Sequence, residues 1–497
     1  MQRLIADAGW RFDNSYARLP EALFAPATPV PVRSPAVVVV NDSLAADLGL
    51  DPAVLREAGA AVFAGNDLPP GAEPIAQAYA GHQFGHFTNL GDGRAILLGE
   101  QLGPDGRRCD IQLKGAGRTR YSRGGDGRAA IGPMLREYII SEAMHALGIP
   151  TTRSLAVATT GELVLRNAPL TGAVLTRVAA SHIRVGTFQY AAAVGDDRLL
   201  PALLEHAIAR HAPEVAAAAD PAVAFLDAVV ERQASLVARW MLVGFVHGVM
   251  NTDNMAVSGE TIDYGPCAFL DAYDPATVFS SIDQQGRYAY GNQPGIAHWN
   301  LARLAESLLP VVEGGEEAAL DTVRGVLATF PERFARHHLA GGRAKLGLAA
   351  EEEGDRELFT ALLDWMHAAR ADFTATFVGL AAIAESREIP EAGTPTPLAP
   401  GCSAPGFRPW CEAWLARLAR EADPQAAAAR MRLVNPVVIP RNHKVEETLA
   451  AAESGDLTFL DRLLAAIRSP FVETSANEHY RAGPPAGCGP YRTFCGT

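Results

Sequence analysis

The segment HGVMNTDNMAVSGETIDYG, residues 247–265, carries the densest chemistry in the chain. An apolar helical pattern over Ala222–Val246, the longest in the sequence, runs into His247. A polar loop follows, then a short strand-like pair, then Asp263-Tyr264-Gly265. Asn254 and Asp263 are hard oxygen donors of the kind that suits Mg²⁺ or Mn²⁺. His247 reads as a structural residue that fixes the loop backbone. Asp271, in FLDAYDP, reads as a helix or turn cap and not as a third metal ligand.

Protein kinases place H-R-D-x-x-x-x-N, a hairpin and D-F-G in this order, with the Asn and the second Asp on the metal. Counted from His247, Asn254 falls on the Asn position, and Asp263 on the D-F-G aspartate. The position of the kinase base is Val249, which cannot accept a hydroxyl proton. Ordinary γ-phosphoryl transfer is disfavoured, and Asp253 is the nearest replacement base.

Upstream lie the parts that would face a nucleotide. Asp110-Ile-Gln-Leu-Lys114 ends a strand pattern in a lysine, and Glu137 follows in the first turns of the helical pattern Met134–Leu147. A strand lysine paired with a helix glutamate is how kinases hold the phosphates. Gly91-Asp92-Gly93-Arg94 offers backbone N–H groups and a guanidinium to phosphate oxygens. KGAGRTRYSRGGDGR, residues 114–128, adds five glycines and the arginines Arg118, Arg120, Arg123 and Arg128. Arg177 and Arg184 supply two more cations where two lobes would meet. Each feature alone is an ordinary turn, strand end or exposed loop. Their order along one chain makes a nucleotide site.

Strands precede helices, so the fold class is α+β: a bilobal, protein-kinase-like fold with a strand-rich N-lobe and an enlarged helical C-lobe. The expected strands are Ala36–Val40, Ala95–Leu98, Asp110–Lys114, Glu162–Arg166 and Ala173–Arg177. The N-lobe spans 1–186, the C-lobe 187–480, and a Gly/Pro-rich flexible tail 481–497. The Pro-rich stretch 387–409 reads as a loop within the C-lobe.

The chain has 497 residues, 48% hydrophobic and 20% charged, as in ordinary globular proteins. A net charge of −13 argues against a broad nucleic-acid surface. The best apolar run, Trp240–Met250, is about half of the roughly 20 residues a membrane span needs. The first residues lack a signal layout, so a cytoplasmic protein is expected. Six cysteines without a C-x-x-C pair make neither a disulfide scaffold nor a zinc site.

GHQFG, LGDGRA, LKGAGRTRYSRGGDGRA, HGVMNTDNM and TIDYGP closely resemble the selenoprotein O family of protein adenylyltransferases, which are pseudokinases. The resemblance runs from about residue 10 to the YRTFCGT terminus. It implies ATP bound in reverse, so that AMP passes to Ser, Thr or Tyr hydroxyls of protein substrates and pyrophosphate leaves. It leaves open UMP transfer from UTP, and an atypical kinase acting on a small molecule or protein is the alternative. Nucleotide contacts would be Gly91, Gly93, Arg94, Lys114, Asp126, Gly127, Arg177, Arg184 and Asp263. Asp253 would accept the proton, Asn254 and Asp263 would hold Mg²⁺ or Mn²⁺, and Lys114 would pair with Glu137. Some bacterial relatives are regulated by a bond between two cysteines placed like Cys267 and Cys495, which makes that disulfide an expectation here.

Overall fold

Apolar and β-branched runs in the N-terminal part assemble into one antiparallel sheet. The computed structural model describes residues 7–390, 405–485, 487–489 and 491–493. Its strands are β1 (Phe24–Pro26), β2 (Ala36–Val40), β3 (Ile75–Gln77), β4 (Ala80–Gln83), β5 (His86–Asn89), β6 (Ala95–Leu102), β7 (Arg108–Lys114), β8 (Ala129–Ala130), β9 (Arg153–Leu165) and β10 (Pro169–Ala179). The main sheet has the order β1-β3-β6-β7-β10-β9-β2, with β8 on β10, while β4 and β5 form a hairpin of their own.

Register decides which residues meet. Leu97 pairs with Gln112 and Arg177 with Gln112, while Leu175 pairs with Lys114. Because side chains alternate, Leu97, Gln112, Lys114, Leu175 and Arg177 share one face. The Ile131–Ala146 helix and Glu137 pack against that face, within a core that continues into the helical region. The opposite face, with Ile96, Leu98, Ile111, Leu113, Val174 and Val178, is covered by Leu44, Leu55, Val62 and Phe63 from short helices.

Beyond Ala179 the described chain is mostly helical. The longest helix runs Pro221–Leu242, begun by Asp220, whose carboxylate accepts the Val223 N–H. It stops four residues short of the expected Val246. Gly244 adopts a φ of +71°, and a Cβ there would lie 2.9 Å from the Phe373 ring. The chain then forms β11 (Phe245–Val246), paired with β12 (Ala268–Phe269). That pairing brings the loop after β11 beside Asp263-Tyr264-Gly265, which precedes β12.

Of the Pro-rich stretch, residues 391–404 lie outside the described residues, and the Phe407–Leu418 helix follows. The tail read as flexible is anchored at two of its described residues. Tyr491 accepts a hydrogen bond from Arg136 Nη1 at 2.9 Å. Thr493 donates through its hydroxyl to the Pro266 carbonyl at 2.9 Å and through its N–H to Phe279. Among the described residues, no helix is long and apolar enough to cross a membrane.

Candidate active site

A cavity of about 320 Å³ opens where the sheet meets the helical region, within the usual range for a small-molecule site. Its walls include Gly93, Arg94, Lys114, Arg177, Arg184, Val249, Asp253, Asn254 and Asp263. Residues far apart in sequence are thus brought together. Gly91, Asp126 and Gly127 do not line it. Asp126 is instead held by Arg166, at 2.9 and 3.2 Å, and accepts the Arg128 N–H.

Asp263 is the centre of the charge pattern. Its Oδ1 meets Lys114 Nζ at 3.1 Å and Arg177 Nη2 at 2.6 Å, and its Oδ2 meets Arg184 Nη1 at 2.8 Å. Glu137 stands behind, bonding Lys114 Nζ at 2.6 Å through Oε2 and Arg177 Nε at 2.7 Å through Oε1. Burial works against the charge of both carboxyls, but Arg177 and Lys114 outweigh it, joined at Asp263 by Arg184. Glu137 is held below the usual carboxylate range and Asp263 well below it. Burial, with Arg177 nearby, draws Lys114 down from the ordinary lysine value. Asp263 takes φ +64°, a left-handed conformation that aspartate tolerates better than most residues.

Asp253 differs in kind. It is 6% exposed, and burial raises its carboxyl to about 6, with the Arg184 charge pulling the other way. Its Oδ2 accepts from Gln83 Nε2 at 3.4 Å, and its Oδ1 is buried without a partner. Asn254 donates its Nδ2 to the Val249 carbonyl at 3.1 Å, so its amide oxygen remains as a donor atom for a cation. His247 bonds loop backbone, with Nε2 2.9 Å from the Ile262 carbonyl oxygen, which ties the two loops together.

Several residues of the site were given no role by the sequence reading, among them Tyr79, Asp92, Gln83 and Phe84. Tyr79 lies under the Arg184 guanidinium, 4.6 Å from its carbon. Asp92, 2% exposed, sits 4.0 Å from Arg184 and accepts the Gln77 N–H. Gln83 and Phe84 reach the cavity from the β4–β5 hairpin. Asp92 was visible inside the glycine turn, whereas the hairpin gave no usual turn signal. Asp271 does not cap a helix. It bonds Arg441 Nη1 at 2.9 Å, and the cap of the neighbouring Phe373–Ser386 helix is Asp372. Cys267 is buried, and Cys495 lies outside the described residues.

A sequence model of the family described as protein adenylyltransferase SelO matches residues 9–468. A protein nucleotidyltransferase YdiU of Geobacillus kaustophilus is 60% identical over 494 residues, covering 99% of this chain and 100% of that protein. Proteins of the same name from Bacillus cytotoxicus and Rhizobium etli are 56% and 57% identical, each covering 99% of this chain and 98% of the relative. With the match extending across the sheet, both loops of the cavity and most of the helical region, the chain belongs to the protein adenylyltransferase SelO family.

Proposed function

We propose that this protein transfers AMP from ATP to Ser, Thr or Tyr hydroxyls of proteins and releases pyrophosphate. The observation that carries the reading is the cluster of Lys114, Arg177 and Arg184 on Asp263, in one cavity with Asp253, while Val249 occupies the usual kinase base position. The names of the relatives, protein nucleotidyltransferase, support the same class of reaction.

The kinase-like reading of the fold rests on the Lys114–Glu137 pair, the β11–β12 pair and the two loops it joins. Within it, Lys114, Arg177, Arg184 and Arg94 bind phosphate oxygens and counter the charge that develops on them. The acceptor hydroxyl oxygen forms a bond to the α-phosphorus as its proton passes to the Asp253 carboxylate. The bond from the α-phosphorus to the bridging oxygen breaks, and pyrophosphate departs. A carboxyl raised to about 6 is still mostly ionised near neutral pH and more basic than an exposed aspartate.

Asn254 and Asp263 fit a divalent ion through one amide oxygen and one carboxylate in the same cavity. Mg²⁺ and Mn²⁺ accept so few protein ligands when phosphates and water complete the shell. When bound, such an ion supplies charge neutralisation to the triphosphate. The deciding experiment is incubation of the purified protein with ATP labelled separately at the α- and γ-phosphates. Protein-bound α-label with released pyrophosphate is expected, and label entering only from the γ-position overturns the reading.

A further inference from the structure

The β4–β5 hairpin belongs to neither the main sheet nor the helical bundle, yet it touches three consecutive residues of the loop that carries Asp253. His82 donates its N–H to Thr252 Oγ1 at 2.7 Å, and Phe84 donates its N–H to Asn251 Oδ1 at 3.2 Å. Gln83 donates Nε2 to Asp253 Oδ2 at 3.4 Å. Gly81 lies so close that a Cβ there would stand 2.3 Å from Asp253 Oδ1. One carboxylate oxygen is therefore packed against bare backbone and the other is held by a carboxamide.

The hairpin is itself braced. His82 Nδ1 is 2.8 Å from Gln189 Nε2 on the Val185–Ala193 helix. Phe84 sits at the tip with φ +50°, an uncommon conformation for a bulky residue that persists only where surroundings enforce it. Its ring packs 5.2 Å from Tyr288, whose hydroxyl donates to the same Asn251 Oδ1 at 2.6 Å. A strained tip, tied to Asn251 by its own N–H and packed on the tyrosine that bonds the same oxygen, points to a purpose other than packing.

We propose that the hairpin is a clamp for the proton acceptor and that Gln83 is a positioning residue for the acceptor half of the reaction. Its carboxamide fixes the rotation of the Asp253 carboxylate, so that the oxygen receiving the proton is aligned when the hydroxyl arrives. This rests on the reading of Asp253 as the base. Gln83 is half-buried and lines the cavity.

The test is steady-state AMP transfer by the full chain and by Gln83→Ala, with thermal melting of each with and without ATP and Mn²⁺. Misalignment of a reacting group by about 1 Å can cost about 100-fold, so kcat should fall roughly 10- to 100-fold. The KM for ATP should stay within about twofold, and the nucleotide-induced rise in Tm should match the parent's. Gln83→Glu should be slower still, because a second carboxylate repels the first. An active parent with an equally active Gln83→Ala removes the clamp and leaves the transfer reading intact. A Gln83→Ala protein that loses the ATP-induced rise in Tm also overturns it, by placing Gln83 in the nucleotide subsite or the fold. A parent that passes no α-label brings down both.

Discussion

Arg177 is 1% exposed and bonds two carboxylates, so its removal does more than weaken a phosphate contact. The sequence alone suggests that Arg177→Ala would weaken catalysis and leave the fold intact, since the residue belongs to no apolar core pattern. Register on β7 and β10 turns it inward instead. Breaking a buried pair by deleting one partner typically costs about 3–5 kcal/mol, and Lys114 and Arg184 remain to compensate part of it. Arg177→Ala should therefore lower both activity and the denaturation midpoint measured without nucleotide, whereas Arg94→Ala should lower activity alone. Asp253→Asn should reduce kcat by about 100-fold or more with little change in the KM for ATP, the signature of a lost base. Turnover near the parent's would remove Asp253 from that role. That Asp253, Asn254 and Asp263 would meet in one cavity was legible, because they sit on two loops closely spaced in sequence. The ion pairs of Asp271 and Asp126 were not legible, because their partners Arg441 and Arg166 are 170 and 40 positions away.

The Phe330–Lys345 helix ends in a lysine that is 4% exposed, with its Nζ 4.0 Å from the centre of the Phe377 ring. No carboxylate pairs with it among the described residues. Burial draws its value from 10.5 to about 7. The unfolded chain then binds more protons than the folded one between those values, so this group makes stability rise with pH across that window. Below about 7 the full cost of a buried cation is present. Lys345→Met should raise the urea midpoint at neutral pH, and the gain over the parent should shrink as pH approaches 9.5 or so. A constant gain across that range would show that the lysine is charged throughout. Helix ends were harder to place than helices. Val243, Phe245 and Val246 continue the apolar pattern, and Gly244 alone marks the stop at Leu242. The β4–β5 hairpin was missed because its turn is Phe84-Gly85, both at positive φ, where Asn-Gly would have signalled it.

Taken as a whole, the molecule has a strand-rich N-terminal part followed by a helical part, an order readable from the patterns along the chain. The sheet is more extensive than the pattern suggested: β9 and β10 cover 13 and 11 residues, because Gly161 and Gly172 interrupt the alternation without ending the ladder. ATP with Mn²⁺ should stabilise the native state by about 2.7 kcal/mol at a hundredfold excess over Kd, read as a rise in Tm. Asp263→Ala should lose most of that rise together with all transfer, since it removes the carboxylate that gathers three cations. Finally, the seating of Tyr491 and Thr493 has a practical side. Pro266 is part of the cavity wall, so the tail is fastened to the site there, while Tyr491 holds it to Arg136 on the helix that carries Glu137. An affinity tag or reporter fused to the tail would put those two fastenings at risk. Purification handles belong at the other end of the chain.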